Sequence, residues 1–419
     1  MTFESFAEAH SFLLWSAFVL AFIMGAVVNK TNFCTMGAVS DMVNMGDYGR
    51  FRAWLLAICV ALVGVVVLEA TGLMSVDGSF PPYREARILW LENILGGLMF
   101  GVGMTLGSGC GNKALIRIGG GNLKSIFLFV GIGIVAFYMV NPFPGTDKTL
   151  YSELFFPWVG PAAIELDSLS DLGSIISSDN AAQVRLVIGL LLALALLWYI
   201  FRSAEFRSSL DNILGGLVVG LAVLGAWYLS ANLVVNADDE LYSLGGYYEE
   251  WEMLSDDEEG KPSVSRPLST QSFTFVNPMA QSYGYAASGF ESRHLTFGIF
   301  AVAGVVLGSL FWSLASRGFR IEWFAGWRDF VNHMIAALLM GMGATIALGC
   351  TIGQAVTGIS TLAVGSFLTF GAILLGSALT MKVQYYKMLY EDASFIDALI
   401  TALVELRLLP ASMRRLEAL

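Results

Sequence analysis

The sequence predicts an all-α polytopic membrane protein: about nine transmembrane helices plus short re-entrant or broken helices, arranged as an inverted-topology repeat. Three observations predict it. The 419 residues are 56% apolar and only 14% charged, where a soluble chain carries about 25% charged residues, and mean hydropathy is +0.67. Apolar runs of the length of a membrane-crossing helix, ~20 residues, recur along the whole chain. A glycine–cysteine pattern returns in corresponding places of its two halves. Such a composition excludes soluble, disordered and nucleic-acid-binding proteins, and makes the lipid bilayer the first partner.

The apolar stretches fall at 12–29, 53–73, 93–107, 124–140, 183–201, 213–230, 294–316, 331–348 and 364–381. The third is short for a full span, and short, Gly-interrupted segments mark broken helices. Basic residues cluster on alternate connections: Lys30, Arg50 and Arg52; Lys113, Arg117 and Lys124; Arg202 and Arg207; Arg317, Arg320 and Arg328; and five more after the last span. By the positive-inside rule that side is cytoplasmic, so the N-terminus lies outside and the C-terminus inside. Two acidic loops then face outward. Residues 141–182 hold six acids against Lys148, and residues 231–293 hold eleven against Lys261, Arg266 and Arg293, which accounts for the net charge of −11. The first eight residues carry no basic n-region, so no cleaved signal peptide is expected. Residues 390–419 read as a cytoplasmic C-terminal helix, either lying on the inner face or packed on the bundle. Four cysteines do not make a disulfide framework in so long a chain.

Residues 93–110 and 332–350 align at an offset of 240. Gly101, Gly103, Thr105, Gly109 and Cys110 meet Gly341, Gly343, Thr345, Gly349 and Cys350, and Gly131 meets Gly371. Asn212–Leu217 repeats Asn93–Leu98, with Leu229 at the cysteine position, and Gly25/Cys34 is a fourth copy. Glycines alone only let membrane helices pack; three of four cysteines at one spacing, inside longer alignments, make a repeat. With the charge bias, residues 1–140 and 202–389 become two halves of opposite direction joined by the span at 183–201, a design that places a substrate site near the midplane.

Glycines 107, 109 and 111 break a helix near Cys110, Asn112–Ile118 forms a short second helix, and Gly119–Gly121 stops it. The same pattern fits Gly349-Cys350 followed by Thr351–Gly358, and Phe33-Cys34 followed by Thr35–Met45. A chain break inside lipid must be buried in protein or line a cavity. Each short helix presents its N-terminal amides there, which favours anions, and each break carries a soft, polarisable thiol. The combination suits an anion with a sulfur end.

At Asn32-Phe-Cys-Thr-Met-Gly37, Gly109-Cys-Gly-Asn-Lys-Ala-Leu115 with Gly119-Gly-Gly-Asn-Leu-Lys-Ser125, and Leu348-Gly-Cys-Thr-Ile-Gly-Gln354, the chain resembles the YeeE/YedE family of bacterial sulfur-transport membrane proteins. The resemblance covers nearly the whole chain except 141–182 and 231–293. It implies an inner-membrane permease taking up thiosulfate through an inverted-repeat fold narrowed at its middle, with Cys34, Cys110 and Cys350 as path cysteines and a cytoplasmic TusA-like sulfurtransferase as partner. Asn112-Lys113 stands where the family often has small residues. The expected binding set is those three cysteines with Gly109, Gly111, Gly349, Thr351, Gln354, Lys113 and Arg117; no cofactor, metal or catalytic residue is expected. Two other readings use the same residues: a transporter of a selenium compound or another anion, or a membrane thiol or sulfur-transfer enzyme, the latter weakened because there is no Cys-x-x-Cys pair.

The remaining candidates have plainer readings. Cys59 is a small buried hydrophobe within its span. Lys113 and Arg117 are either snorkelling charges or exit groups for the anion. Glu69 is interfacial. Gln354 either donates to substrate or bonds between helices. The scattered methionines do not make a copper site, and Gly101-Val-Gly-Met-Thr-Leu-Gly107 lies within a span with no strand before it, so it is no nucleotide fingerprint. The run Asp256–Glu259 has carboxylates for Ca²⁺ but lacks EF-hand spacing, and reads as a solvated charge run.

Overall fold

The computed structural model describes residues 1–237, 240–254 and 260–417; the Asp256–Glu259 run lies outside the described residues. The predicted spans form helices α1 (Phe6–Thr31), α3 (Gly49–Ala70), α4 (Trp90–Leu106), α6 (Lys124–Val140), α7 (Ala181–Phe201), α8 (Leu210–Ala231), α10 (Phe297–Ala315), α11 (Trp327–Ile346) and α12 (Val364–Leu389). Between them lie short helices α2 (Thr35–Ser40, continued as a π-helix over Asp41–Met45), α5 (Gly111–Gly119) and α9 (Val276–Ala287), and a π-helical segment Ile352–Gly358; α13 (Phe395–Glu405) closes the chain. Eight segments are long and apolar enough to cross a membrane, and α6 is a ninth, shorter one. The chain is an all-α polytopic membrane protein, with sheet confined to two- to four-residue strands.

The helix packing repeats itself. α1 lies on α10 as α8 lies on α3, and α4 lies on α12 as α11 lies on α6. α5 meets α10 and α6 as the π-helical segment meets α3 and α12; α9 meets α6 and α10 as α2 meets α12 and α3. The self-paired contacts, α1 with α8 and α4 with α11, mark the pseudo-twofold axis, and α7, packed on α3, stands outside it. Glycine makes the axial contact possible. A Cβ on Gly343 would lie 2.6 Å from the Gly96 carbonyl oxygen, and one on Gly96 would lie 2.5 Å from that of Gly343, so only hydrogen at both positions lets the two backbones meet.

The connections sort onto two faces. On the N-terminal face, the Met1 amine donates to the Asn232 carbonyl at 2.8 Å. There Thr2–Phe3 pairs with Val234–Val235, Arg87–Ile88 with Ile164–Glu165, Phe80 with Gln271 and Asp171 with Ala363. On the C-terminal face Asn122 pairs with Glu322, Lys30 with Asp211 at 3.4 Å and Lys124 with Asp329 at 3.5 Å. Consecutive spans therefore alternate in direction, which runs α1 and α8 oppositely.

Two expectations change. The stretch 231–293 is not all loop: its first part caps the N-terminal face, but Phe273, Phe275, Val276 and Met279 are buried in the bundle, and α9 is the missing counterpart of α2. The fourth break therefore lies at Thr274–Phe275 and not at Leu229, where α8 runs on unbroken. Glu69 is buried rather than interfacial, because two Arg84 nitrogens hold its carboxylate at 2.6 and 2.9 Å. The terminal helix α13 buries Ala398, Thr401, Ala402 and Val404 against α12 and leaves Phe395 and Ile396 exposed.

Candidate functional site

The three cysteine breaks are one motif used three times. α1 ends at Asn32 with φ 51°, α4 leads to Ser108 with φ 57°, and α11 leads to Leu348 with φ 58°. The next amide in each case reaches back five residues: Phe33 to the Val28 carbonyl at 3.2 Å, Gly109 to Met104 at 2.9 Å, Gly349 to Ala344 at 2.8 Å. This closure satisfies end-of-helix carbonyls. The cysteine follows and heads the next short helix; Cys34 Sγ accepts the Gly37 N–H at 3.5 Å. The sequence suggests that glycines make the break, yet the left-handed residue is never glycine. A left-handed non-glycine costs ~1–2 kcal/mol, so packing holds these turns.

All four cysteines are buried and unpaired. Three converge. Cys110 lies within electrostatic reach of both Cys34 and Cys350, and against the Thr351 hydroxyl. Towards the N-terminal face, Cys350 Sγ is 3.9 Å from Thr274 Oγ1 and borders Tyr83, whose hydroxyl donates to the Gly353 carbonyl at 2.8 Å. Towards the C-terminal face, Cys34 borders Lys113 and Arg50. Cys110 thus stands between Cys350 and Cys34 in a file of thiols, with Lys113 and Arg50, the latter paired with Asp41 at 2.6 Å, near its C-terminal end. Cys59 is apart from it, its Sγ 3.7 Å from the Ala193 carbonyl where α3 meets α7.

A cavity of about 140 Å³ descends from the N-terminal face to Gly349 and Thr274, beside Cys350. Phe80 and Asn277 also line a larger space above it, about 700 Å³, roofed by residues 243–249 and 266–270 of the cap.

The other expected site residues divide by role. Gly111 leaves room for α9: a Cβ there would lie 3.3 Å from Met279 Cε. Gly109 and Gly349 make space for Lys113 and Gln354, whose side chains would lie 3.1 and 3.2 Å from an added Cβ. Lys113 Nζ donates to Asn32 Oδ1 at 2.6 Å, tying α5 to the first break. Arg117 carries no ion pair among the described residues. Gln354 is engaged by protein: its amide donates to the Ala347 carbonyl and accepts from Ser366 Oγ at 2.7 Å. Sequence reasoning passed over Thr35, Thr274 and Met279, and marked Asn112 only as a departure from small residues. Thr35 had a signal, since Cys34-Thr-Met-Gly37 parallels Cys350-Thr-Ile-Gly353; α9 had none, because it lacks a cysteine and follows the cap. No cluster of metal-ligating side chains occurs among the described residues.

Short helices meeting inside the bundle around buried thiols define a polytopic membrane protein whose chain breaks are buried in protein. The chain belongs to the sulphur-transport family, which matches residues 30–379. It is 25% identical over 366 residues to the thiosulfate transporter TsuA of Escherichia coli strain K12, covering 82% of this chain and 86% of that protein. It is 24% identical over 378 residues to the thiosulfate transporter TsuA of Spirochaeta thermophila, covering 87% and 97%.

Proposed function

We propose that the protein imports thiosulfate, or a close sulfur oxyanion, across the bacterial inner membrane, with its N-terminal face outside. The observation that carries the reading is the file of three unpaired thiols at three helix breaks, with Lys113 and Arg50 at its far end. The orientation rests on the basic loops of the C-terminal face. The relatives' names supply the substrate class.

The thiols act as neutral, non-covalent donors. A thiolate would repel each unit charge of a dianion ~4 Å away by roughly 4 kcal/mol at an effective dielectric of 20, whereas an S–H donates to the terminal sulfur. The anion descends the outer cavity to Cys350, passes Cys110 and Cys34, and leaves past Lys113, Arg117 and Arg50. Gly109, Gly111 and Gly349 keep the breaks narrow, and Gln354 braces the Cys350 break. A cytoplasmic TusA-like sulfurtransferase receives the sulfur.

Uptake of labelled thiosulfate into proteoliposomes, with sulfate, sulfite and selenium analogues as competitors, tests this reading. Uptake that needs only a gradient supports it. A requirement for reductant or acceptor, or a persulfide that forms and decays with turnover, would favour sulfur-transfer chemistry instead.

A further inference from the structure

We propose that Thr35, Asn112 and Thr351 are the oxygen-side ligands of the permeating anion, so that the file recognises both ends of its substrate; the proposal rests on the transport reading above. Among the described residues, six buried side-chain polar atoms have no hydrogen-bond partner: Thr35 Oγ1, Asn112 Oδ1, Thr351 Oγ1, Arg52 Nε, Trp54 Nε1 and Thr369 Oγ1. The first three occupy the first turn after Cys34, Cys110 and Cys350, one at each break, and are 1%, 3% and 0% exposed.

There is a local reason for the orphaned hydroxyls. Threonines inside the membrane helices commonly bond to the carbonyl four residues back, as buried Thr31 and Thr105 do at 2.9 and 3.1 Å, although Thr369 within α12 does not. Thr35 and Thr351 begin their helices, so no helical carbonyl stands behind them. A buried polar atom without a partner is costly, and one in the first turn after each of three breaks points to a ligand that comes and goes. Thr351 lies against the Cys110 thiol, which interleaves the hydroxyls with the thiols along the path.

The chemistry divides between the two sets. A hydroxyl is a hard donor suited to anionic oxygen, and a thiol is a soft, weak one suited to sulfur. Asn112 presents N–H to the same place when its amide turns over. The substrate class is therefore an anion with oxygens at one end and a terminal sulfur at the other. Sulfate lacks the sulfur end, and hydrosulfide lacks the oxygens.

The test uses full-length protein in proteoliposomes, comparing Thr35→Val, Thr351→Val and Asn112→Leu with the parent and with Thr35→Ser and Thr351→Ser. Each of the first three is expected to raise KM for thiosulfate about tenfold or more, the loss of one hydrogen bond to a charged group. The serine variants stay near the parent. The thermal midpoint of Thr35→Val is unchanged or higher, because its hydroxyl has no protein hydrogen bond to lose, whereas Thr351→Val also gives up the contact with the Cys110 thiol. Parent-like KM in all three variants would overturn the proposal. So would a Thr35→Val variant that loses stability together with uptake, since that hydroxyl would then belong to the scaffold. A parent that does not take up thiosulfate overturns the transport reading, and this proposal with it.

Discussion

α2 and α9 occupy equivalent places in the two halves and carry opposite chemistry. α2 follows α1 across a tight break and is headed by Cys34. α9 follows α8 only after a long connection whose described parts 232–237, 240–254 and 260–272 precede the buried residues 273–275, has no thiol, and meets the others through Val276 and Met279 against Gly111. The scaffold is symmetric because each half must bury the same helix ends. On the transport reading proposed above, the chemistry is free to differ because one side of the pathway meets incoming anion and the other releases it. Symmetry supplies the walls, and departures from it give the path its two distinct ends.

The largest expected effect breaks the comparison at the thiols. Cys34→Ala, Cys110→Ala and Cys350→Ala should each reduce thiosulfate uptake more than tenfold, and serine at these positions should rescue only partly, because its harder hydroxyl suits sulfur poorly. Cys59→Ala, outside the file, should leave uptake near the parent's. Uptake rates corrected for the amount of protein reconstituted decide it. Full activity in all three alanine variants would sink the relay.

Next comes the clamp that holds the Cys350 break from the N-terminal face. Arg84 donates to the Thr361 carbonyl at 2.6 and 2.8 Å while pairing with Glu69 and Asp77. Arg185 joins Asp171 to the same cluster. Arg84→Met leaves buried acid underpaired, which costs about 3–5 kcal/mol, and should lower the thermal midpoint in detergent as well as uptake. Burial opposes the charge on Asp171, but the Arg185 hydrogen bonds outweigh it and hold the carboxyl below its usual value of 3.8. Its contribution is therefore complete above that value and lost as pH falls through the lower folded one.

The two halves can also be compared glycine by glycine. A Cβ on Gly101 would lie 2.3 Å from the Ile373 carbonyl oxygen, whereas one on Gly341 would meet Val135 side-chain atoms at 2.8 Å. Gly101→Val and Gly341→Val should both destabilise, by ~1–3 kcal/mol. Gly101→Val should be the worse, since backbone yields less than a side chain. Thermal midpoints of the purified variants measure the difference, and equal shifts would mean that both contacts relax alike.

Much of this was legible in the sequence. Eight spans with a shorter ninth apolar helix, and the offset between α4 and α11, follow from hydropathy and from Gly101/Gly341 and Cys110/Cys350, because packing and break chemistry act on the same residues. α9 was not legible. Ser272, Phe273 and Thr274 look like any loop, and only tertiary contact with Val223, Thr357 and Cys350 reveals that they enter the bundle. The buried state of Glu69 was hidden for a related reason: its partner Arg84 sits in a connection whose path hydropathy does not describe. The orphaned hydroxyls need coordinates, since a threonine's partner is invisible until its helix start is known.

The smallest expected effect concerns the position that sequence alignment offers for a fourth thiol. Leu229 aligns with Cys110, but it lies within unbroken α8, half-buried, three residues before the helix caps at Asn232. The structural equivalent of a break is Thr274–Phe275, next to Cys350. Leu229→Cys should therefore leave uptake unchanged. Its thiol should also alkylate at the same rate with and without thiosulfate, while alkylation of Cys350 slows when thiosulfate occupies the file. Substrate protection of the new Leu229→Cys thiol would return the fourth break to α8 and remove α9 from the path.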